Sequence, residues 1–388
     1  MEHSQQETKK NWLDRYYKIL MAIPIILTLL CLVYLGYFYS ENNDFIIKDV
    51  SLSGGTTITL QADKVTISFE ELGNALKQKY EDVSLRKLTD MRSGESIAYV
   101  IESSEEPENL KLDIESILGE KLTTENSSVE FTGPGLSSNF YNQLVKALFA
   151  AFILMSLVIF FLFGDSKKLK IDSAILTLVV IKLIFNMPFI DTLASIIIFC
   201  LFFYSLYLSK SKKGFILPIL GALIFIIAFF LPYLTTAFLI LLSISLLALY
   251  LIFSPPSIAV MFAAFSDIVI PLAIIDYFGI RLSAAGISAF LMLVGYSVDT
   301  DILLTTRALK NSEGHLNSRL YRAFKTGILM TITALFAVLP AFFIVTGLPD
   351  AFRQIFLILA LGLGADIVNT WMTNIGIIKW YCNRKGIQ

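Results

Sequence analysis

Apolar runs at 19–38, 143–163, 172–190, 191–209, 214–232, 234–254, 257–278, 283–305, 324–346 and 354–379 dominate this chain. A helix of about 20 apolar residues is what crosses a hydrocarbon layer roughly 30 Å thick. The pattern therefore predicts a polytopic α-helical membrane protein with about ten transmembrane helices. Composition agrees, since 55% of the residues are hydrophobic and only 16% charged, with a mean hydropathy of +0.69, above that of a soluble domain. The net charge of −1 carries no field that would favour nucleic acid. The first run exceeds a signal-peptide core and is followed by no small-residue cleavage site, so it reads as an uncleaved anchor.

Residues 41–140 lack such runs and read as a soluble domain. They hold nine Lys/Arg against nineteen Asp/Glu. A strand is expected at Thr57–Leu60, after the Gly54-Gly55 turn. Ser68 and Glu71 form a capping box that opens a helix to about Tyr80. Strands near 83–89 and 96–102, a helix at 107–118 opened by Pro107, and a strand near 127–132 complete a βαββαβ order. That order predicts a small ferredoxin-like α+β domain. The chain then divides into a tail (1–18), a first span (19–40), the α+β domain (41–140), a second span (141–163), an inserted four-helix segment (164–254), a C-terminal four-helix bundle (255–380) and a final tail (381–388).

Basic residues set the expected orientation. Placing the N-terminus in the cytoplasm puts eighteen Lys/Arg in cytoplasmic segments, at 9–18, 167–170, 210–213, 307–325 and 379–385, and only Arg281 and Arg353 in the short outer loops. The positive-inside rule then places both termini in the cytoplasm and the α+β domain outside a cell membrane.

Candidate chemistry rests on carboxylates. His3 and His315 lie outside the spans, and Cys31, Cys200 and Cys382 share no metal-like spacing, so no metal or cofactor is expected. No Gly-flanked nucleophilic serine or paired ligand set points to an enzyme. Asp267, Asp299 and Asp366 lie inside spans, with Asp301 just beyond Asp299. An ionised Asp at mid-membrane costs roughly 2.5–3.5 kcal/mol on insertion scales, a cost usually retained where the group pairs, meets water or moves an ion. Asp366, Asn369, Thr370, Thr373 and Asn374 form one polar stripe at helical spacing. Asp299 and Asp366 read as the functional pair. Asp267 reads equally as functional or structural, and Asp301 as a hydrated or Arg307-paired structural group. Gly286, Gly295, Gly327, Gly362 and Gly364 are expected to give thin helix faces for close packing.

Gly295-Tyr296-Ser297-Val298-Asp299-Thr300-Asp301-Ile302, followed by Arg307, resembles the signature of archaeal-type SecF, of the SecD/SecF protein-export family related to RND exporters. Ser51-Leu-Ser-Gly-Gly-Thr56, Gly133-Pro-Gly-Leu136 and Ala263-Ala-Phe-Ser-Asp267 are similar to other family segments and occur in the expected order. The resemblance covers 1–163 and 255–388. The 164–254 insertion departs from the family pattern and is expected to be peripheral and lipid-facing, with Lys182 reaching toward the outer surface. Resemblance implies an accessory subunit that works with a SecD homologue beside the SecY translocon, among membrane lipids, on unfolded secretory polypeptides and not on nucleic acid. It implies proton coupling near Asp299, with Asp366, Asp267 and Asn369 as neighbours, and a backbone turn at Gly54 and Gly55 where the outer domain joins the membrane part. A small-molecule proton antiporter of the RND class and a non-coupling scaffold of the translocon are the alternatives.

Overall fold

The computed structural model describes residues 2–80, 82–90, 93–164, 166–185, 246–247, 250–310, 314–344 and 350–386. Most of the inserted runs lie outside the described residues, as does the side chain of Lys182. Among the described residues, six helical stretches are long and apolar enough to cross a membrane: Asp14–Asn42, Pro134–Phe163, Pro255–Tyr277, Ala284–Leu309, Leu316–Ile344 and Ala351–Lys385.

In chain order the elements are α1 (Glu2–Asn42), α2 (Val50–Ser53), β1 (Gly55–Gln61), α3 (Phe69–Lys79), β2 (Ser84–Thr89), β3 (Ser96–Ser103), α4 (Pro107–Leu118), β4 (Ser127–Thr132), α5 (Pro134–Phe163) and α6 (Lys167–Phe185). After the insertion come α7 (Pro255–Tyr277), α8 (Ala284–Leu309), α9 (Leu316–Ile344), α10 (Asp350–Val368), a π-helical turn (Asn369–Asn374) and α11 (Ile375–Lys385). Helix α1 extends well before the apolar run at 19–38. The last apolar run is not one regular helix, because the Ile375 N–H bonds the Thr370 carbonyl, five residues back.

The strands of the α/β domain form an antiparallel sheet in the order β2-β3-β1-β4. Ile58 on β1 stands opposite Ile101 on β3 and Val129 on β4. Alternation along β1 sends Ile58 and Leu60 to one face, where Leu72 and Leu76 of α3 and Leu110 and Ile114 of α4 close a core with Ile101. The Ser68–Glu71 capping box is present in full at the start of α3.

Ser51–Thr56 forms the junction between this domain and the helices. The Asp49 N–H bonds the Leu282 carbonyl at 3.0 Å, and the Leu282 N–H bonds the Ile47 carbonyl at 2.6 Å. Ser51 Oγ accepts from the Ala284 N–H at 3.1 Å. The α7–α8 loop is also tied to the domain itself, through Arg281 Nη2 donating to the Asp82 carbonyl at 2.9 Å. Gly54 and Gly55 have φ of +86° and +133°, and a side chain on either would run into backbone, Pro134 in one case and Ser103–Ser104 in the other. The pair does turn the chain, but it is wedged between two fixed segments.

Asp49 caps α2, its Oδ1 accepting from the Ser51 N–H at 2.9 Å and from the Ser51 hydroxyl at 2.5 Å. Burial raises its pKa to about 6, with Glu102 adding to the rise and Arg86 opposing it. The folded chain therefore holds a proton there that the unfolded chain has lost, and this contribution to stability fades as pH rises from about 4 through 6. Asp49→Asn keeps the capping acceptor and removes the charge. The variant is expected to flatten that pH dependence in thermal unfolding between pH 4 and 7.5; an unchanged profile would assign it elsewhere.

Helices α7, α8, α9 and α10 pack closely where glycines permit. A Cβ on Gly327 would strike the Trp371 ring, one on Gly362 would strike Leu293, and one on Gly286 would crowd Gln354 and Ile358 of α10 at 3.0 and 3.1 Å. Gly295 and Gly364 differ from expectation, since a side chain on either would meet nothing among the described residues. At the far end from the α/β domain, Lys379 is buried rather than free at the surface. Its Nζ pairs with Asp14 at 2.5 Å and donates to Asn317 at 2.9 Å, joining α1, α9 and α11.

The described end of the insertion is only partly peripheral. Leu247, Leu251 and Ile252 are exposed, as a lipid-facing addition requires, whereas Leu246 and Tyr250 are buried. The Tyr250 ring lies 4.7 Å from that of Phe160, and both share a core with Val260, Met261 and Ala264 of α7 and Val298 of α8.

Candidate ion-coupling site

Small residues prepare the site. Ala263, Ala264 and Ser266 let α7 approach its neighbours, and Asp267 follows them into a fully buried position. On α8, Ser297, Thr300 and Asp301 stand at i, i+3 and i+4, so one helix face presents all three. Thr331 comes from α9 and Asp366 from the last turn of α10. Widening of the π-helical turn then carries Asn369, Thr370, Thr373 and Asn374 inward. All of these side chains are buried.

Three carboxyl groups result, Asp267 and Asp301 each held by a hydroxyl and an amide and Asp366 by hydroxyls. Asp267 accepts from the Ser297 hydroxyl and, at 2.6 Å, from Asn369 Nδ2. Asp366 Oδ1 lies 2.9 Å from Thr300 Oγ1 and 3.0 Å from Thr370 Oγ1, and its Oδ2 lies 3.1 Å from Thr331 Oγ1. Asp301 Oδ1 lies 2.8 Å from Thr370 Oγ1 and 2.7 Å from Asn374 Nδ2. Asp301 Oδ2, Thr305 Oγ1, Thr373 Oγ1, Asn369 Oδ1 and Asn374 Oδ1 have no hydrogen-bond partner among the described residues. Among the described residues, no Lys or Arg forms an ion pair with the three acids. Nor do three or more His, Cys, Asp or Glu side chains converge as metal ligands there.

Asp267, Asp366 and Asn369 are thus brought together, and Asp299 is not. It is exposed, on one stripe of α8 with Met292, Gly295 and Tyr296. Tyr296 reaches across from that stripe to the Met330 carbonyl of α9 at 3.3 Å. Asp301 takes the inward place and bonds Thr370 and Asn374, with no ion pair to Arg307 among the described residues. Two positions on an α-helix differ by about 200°, so Asp299 and Asp301 cannot share a face. Ser297 is a donor to Asp267, while Gly295 and Tyr296 belong to the outward stripe. Thr300 and Thr331 were not among the sequence candidates, although Thr300 stands within the signature at 295–302 and three residues after Ser297.

Fold and site together define a multi-pass membrane protein with an α/β domain at one end of its bundle and a buried cluster of acids and hydroxyls within it. Residues 208–384 match the family model described as protein export membrane protein SecD/SecF, C-terminal. The chain is 48% identical over 132 residues to the protein-export membrane protein SecF of Methanolacinia petrolearia, across 34% of this chain and 46% of that one. It is 50% identical over 130 residues to the SecF of Methanothermobacter thermautotrophicus, across 32% and 45%. The matched region thus spans under half the length of these curated relatives. In three dimensions the chain is similar to SecDF, a translocon-associated membrane protein from Thermus thermophilus, with a TM-score of 0.51 at 12% identity, over 94% of this chain and 38% of that one. That likeness concerns the fold alone. Residues 208–384 are thus similar to a SecD/SecF C-terminal domain, and the resemblance to SecF read from the motifs is shown.

Proposed function

We propose that this chain is a SecF-type accessory subunit of the protein-export machinery that couples an ion gradient, in the first place protons, to late polypeptide translocation. The observation that carries the reading is the buried cluster of Asp267, Asp301 and Asp366 at the meeting of four helices, with hydroxyl donors and no countercharge among the described residues. Groups of this kind take up and release protons with little rearrangement, and within a membrane they are retained at a cost of roughly 2.5–3.5 kcal/mol each. One charge crossing 100 mV supplies about 2.3 kcal/mol, enough to shift a two-state equilibrium several tens-fold.

The proposed partner is a SecD-type subunit, acting beside the SecY channel with unfolded secretory polypeptide as cargo. Exposed Asp299 and Tyr296 support it, because a carboxylate on the outside of a membrane helix is costly unless another protein covers it. Only 38% of the SecDF chain similar in fold is covered by this one, which leaves room for such a half. The α/β domain is read as ferredoxin-like, since both helices cover one face of a sheet ordered 4-1-3-2. It would lie outside the cell membrane, with both termini in the cytoplasm and an even number of inserted spans making ten in all. The chain is not read as an enzyme.

Depletion of the chain from cells, followed by pulse-chase of a secreted reporter with and without a protonophore, tests the proposal. Export should slow at a late, partly translocated stage, and the protonophore should add little to that defect. Unchanged export would overturn the reading. Accumulation of a small toxic compound without an export defect would favour the antiporter instead.

A further inference from the structure

We propose that Thr370 is the proton-passing bridge between Asp366 and Asp301, its single hydroxyl joining the two carboxyls into one relay. The proposal rests on the coupling reading above and adds to it the residue through which the proton moves.

Thr370 Oγ1 lies 3.0 Å from Asp366 Oδ1 and 2.8 Å from Asp301 Oδ1, both within hydrogen-bonding reach. A threonine hydroxyl has one hydrogen and two lone pairs. It can donate to only one of these oxygens, so the other contact needs a hydrogen supplied by a carboxylic acid. The same shortage recurs around Asp366. Thr300 Oγ1 is also 2.8 Å from the Ser297 carbonyl, and Thr331 Oγ1 is also 3.3 Å from the Gly327 carbonyl. Three hydroxyl hydrogens therefore face six acceptor contacts. Each hydroxyl thus leaves one of its two contacts without a hydrogen, and one proton held by the Asp366–Asp301 pair fills the one at Thr370.

The arrangement works from either side. With the proton on Asp366, Asp366 donates to Thr370 and Thr370 donates to Asp301. Transfer breaks the O–H bond at Asp366 and forms one at Thr370 Oγ, while the original Thr370 O–H bond breaks and its hydrogen bonds to Asp301. The product is an Asp366 carboxylate, an intact threonine and a protonated Asp301, with no atom or charge unaccounted for. Beyond Asp301 lie its Oδ2, without a partner among the described residues, and the hydroxyl of Thr305, one turn further along α8 from the α/β domain. Thr370 is the second residue of the π-helical turn, four residues after Asp366, and faces Asp301 on α8.

Reporter export in cells expressing the full chain with its native partners, alongside infrared spectra of the purified complex, tests the relay. Thr370→Val removes the hydroxyl at nearly constant volume and is expected to lower export tenfold or more. Thr370→Ser restores the hydroxyl and should recover it to within about threefold. In the infrared, Asp301→Asn should shift the carboxylic-acid band of Asp366 when Thr370 is present, and leave it unmoved in the Thr370→Val background. Export by Thr370→Val at the wild-type rate, with Asp366→Asn defective, would overturn the relay and spare the coupling reading. Normal export by both would overturn both. Should Thr370→Val fail to accumulate, the infrared response of Asp366 to Asp301→Asn with Thr370 intact decides alone, and an unmoved band refutes the bridge.

Discussion

Asp366→Asn is expected to lower export of a secreted reporter tenfold or more while the chain still accumulates and assembles. Asn has almost the same shape, and its amide can replace the contacts with Thr300, Thr331 and Thr370, so packing should survive. Only the capacity to hold and release a proton disappears. Asp299→Asn is the informative contrast, because Asp299 stands on the exposed stripe of α8 and touches none of that network. Its effect should be smaller at the level of coupling and should show instead in how much partner co-purifies. Equal export by Asp366→Asn and the wild type, measured at matched protein levels, would remove the buried cluster from the mechanism.

Gly55→Ala should detach the α/β domain from its fold. At φ +133° an alanine is strained, and its Cβ would run into the Ser103 carbonyl and lie 2.8 Å from Ser104 Cα, neither of which is a flexible side-chain end. Backbone strain alone costs of order 1–3 kcal/mol. Added to a backbone clash, that is a large part of the 5–15 kcal/mol that usually separates folded from unfolded. Gly55 also begins β1, which lies between β3 and β4, so the error reaches both neighbours. Limited proteolysis in membranes should cut within 55–132 far faster than in the wild type. Equal protection would mean that the junction yields more readily than its contacts suggest.

Much of the architecture was readable because it depends on local periodicity. The capping box at Ser68, the alternation through Ile58 and Leu60, and Pro107 at the start of α4 each act over a few residues. The six apolar runs found as long helices among the described residues were legible for the same reason, since length and apolarity need no partner to be recognised. Ends of helices were less so. Polar but helix-favouring residues carry α1 back to Glu2, and the wide turn at 369–374 leaves no mark in hydropathy.

The chain by itself determined that acids would sit within the spans, which kinds of donor lie nearby, and where small residues allow helices to meet. Tertiary structure decided which acid faces which neighbour. Asp301 turned inward and Asp299 outward, Ser297 met Asp267, and Thr331 arrived from a helix with no acid of its own. The physical reason is rotational: two residues along a helix reverse the direction of a side chain, and hydropathy is too coarse to register which direction the bundle buries. Packing of Trp371 against Gly327 and of Leu293 against Gly362 sets that rotation, and these are contacts between segments far apart in sequence.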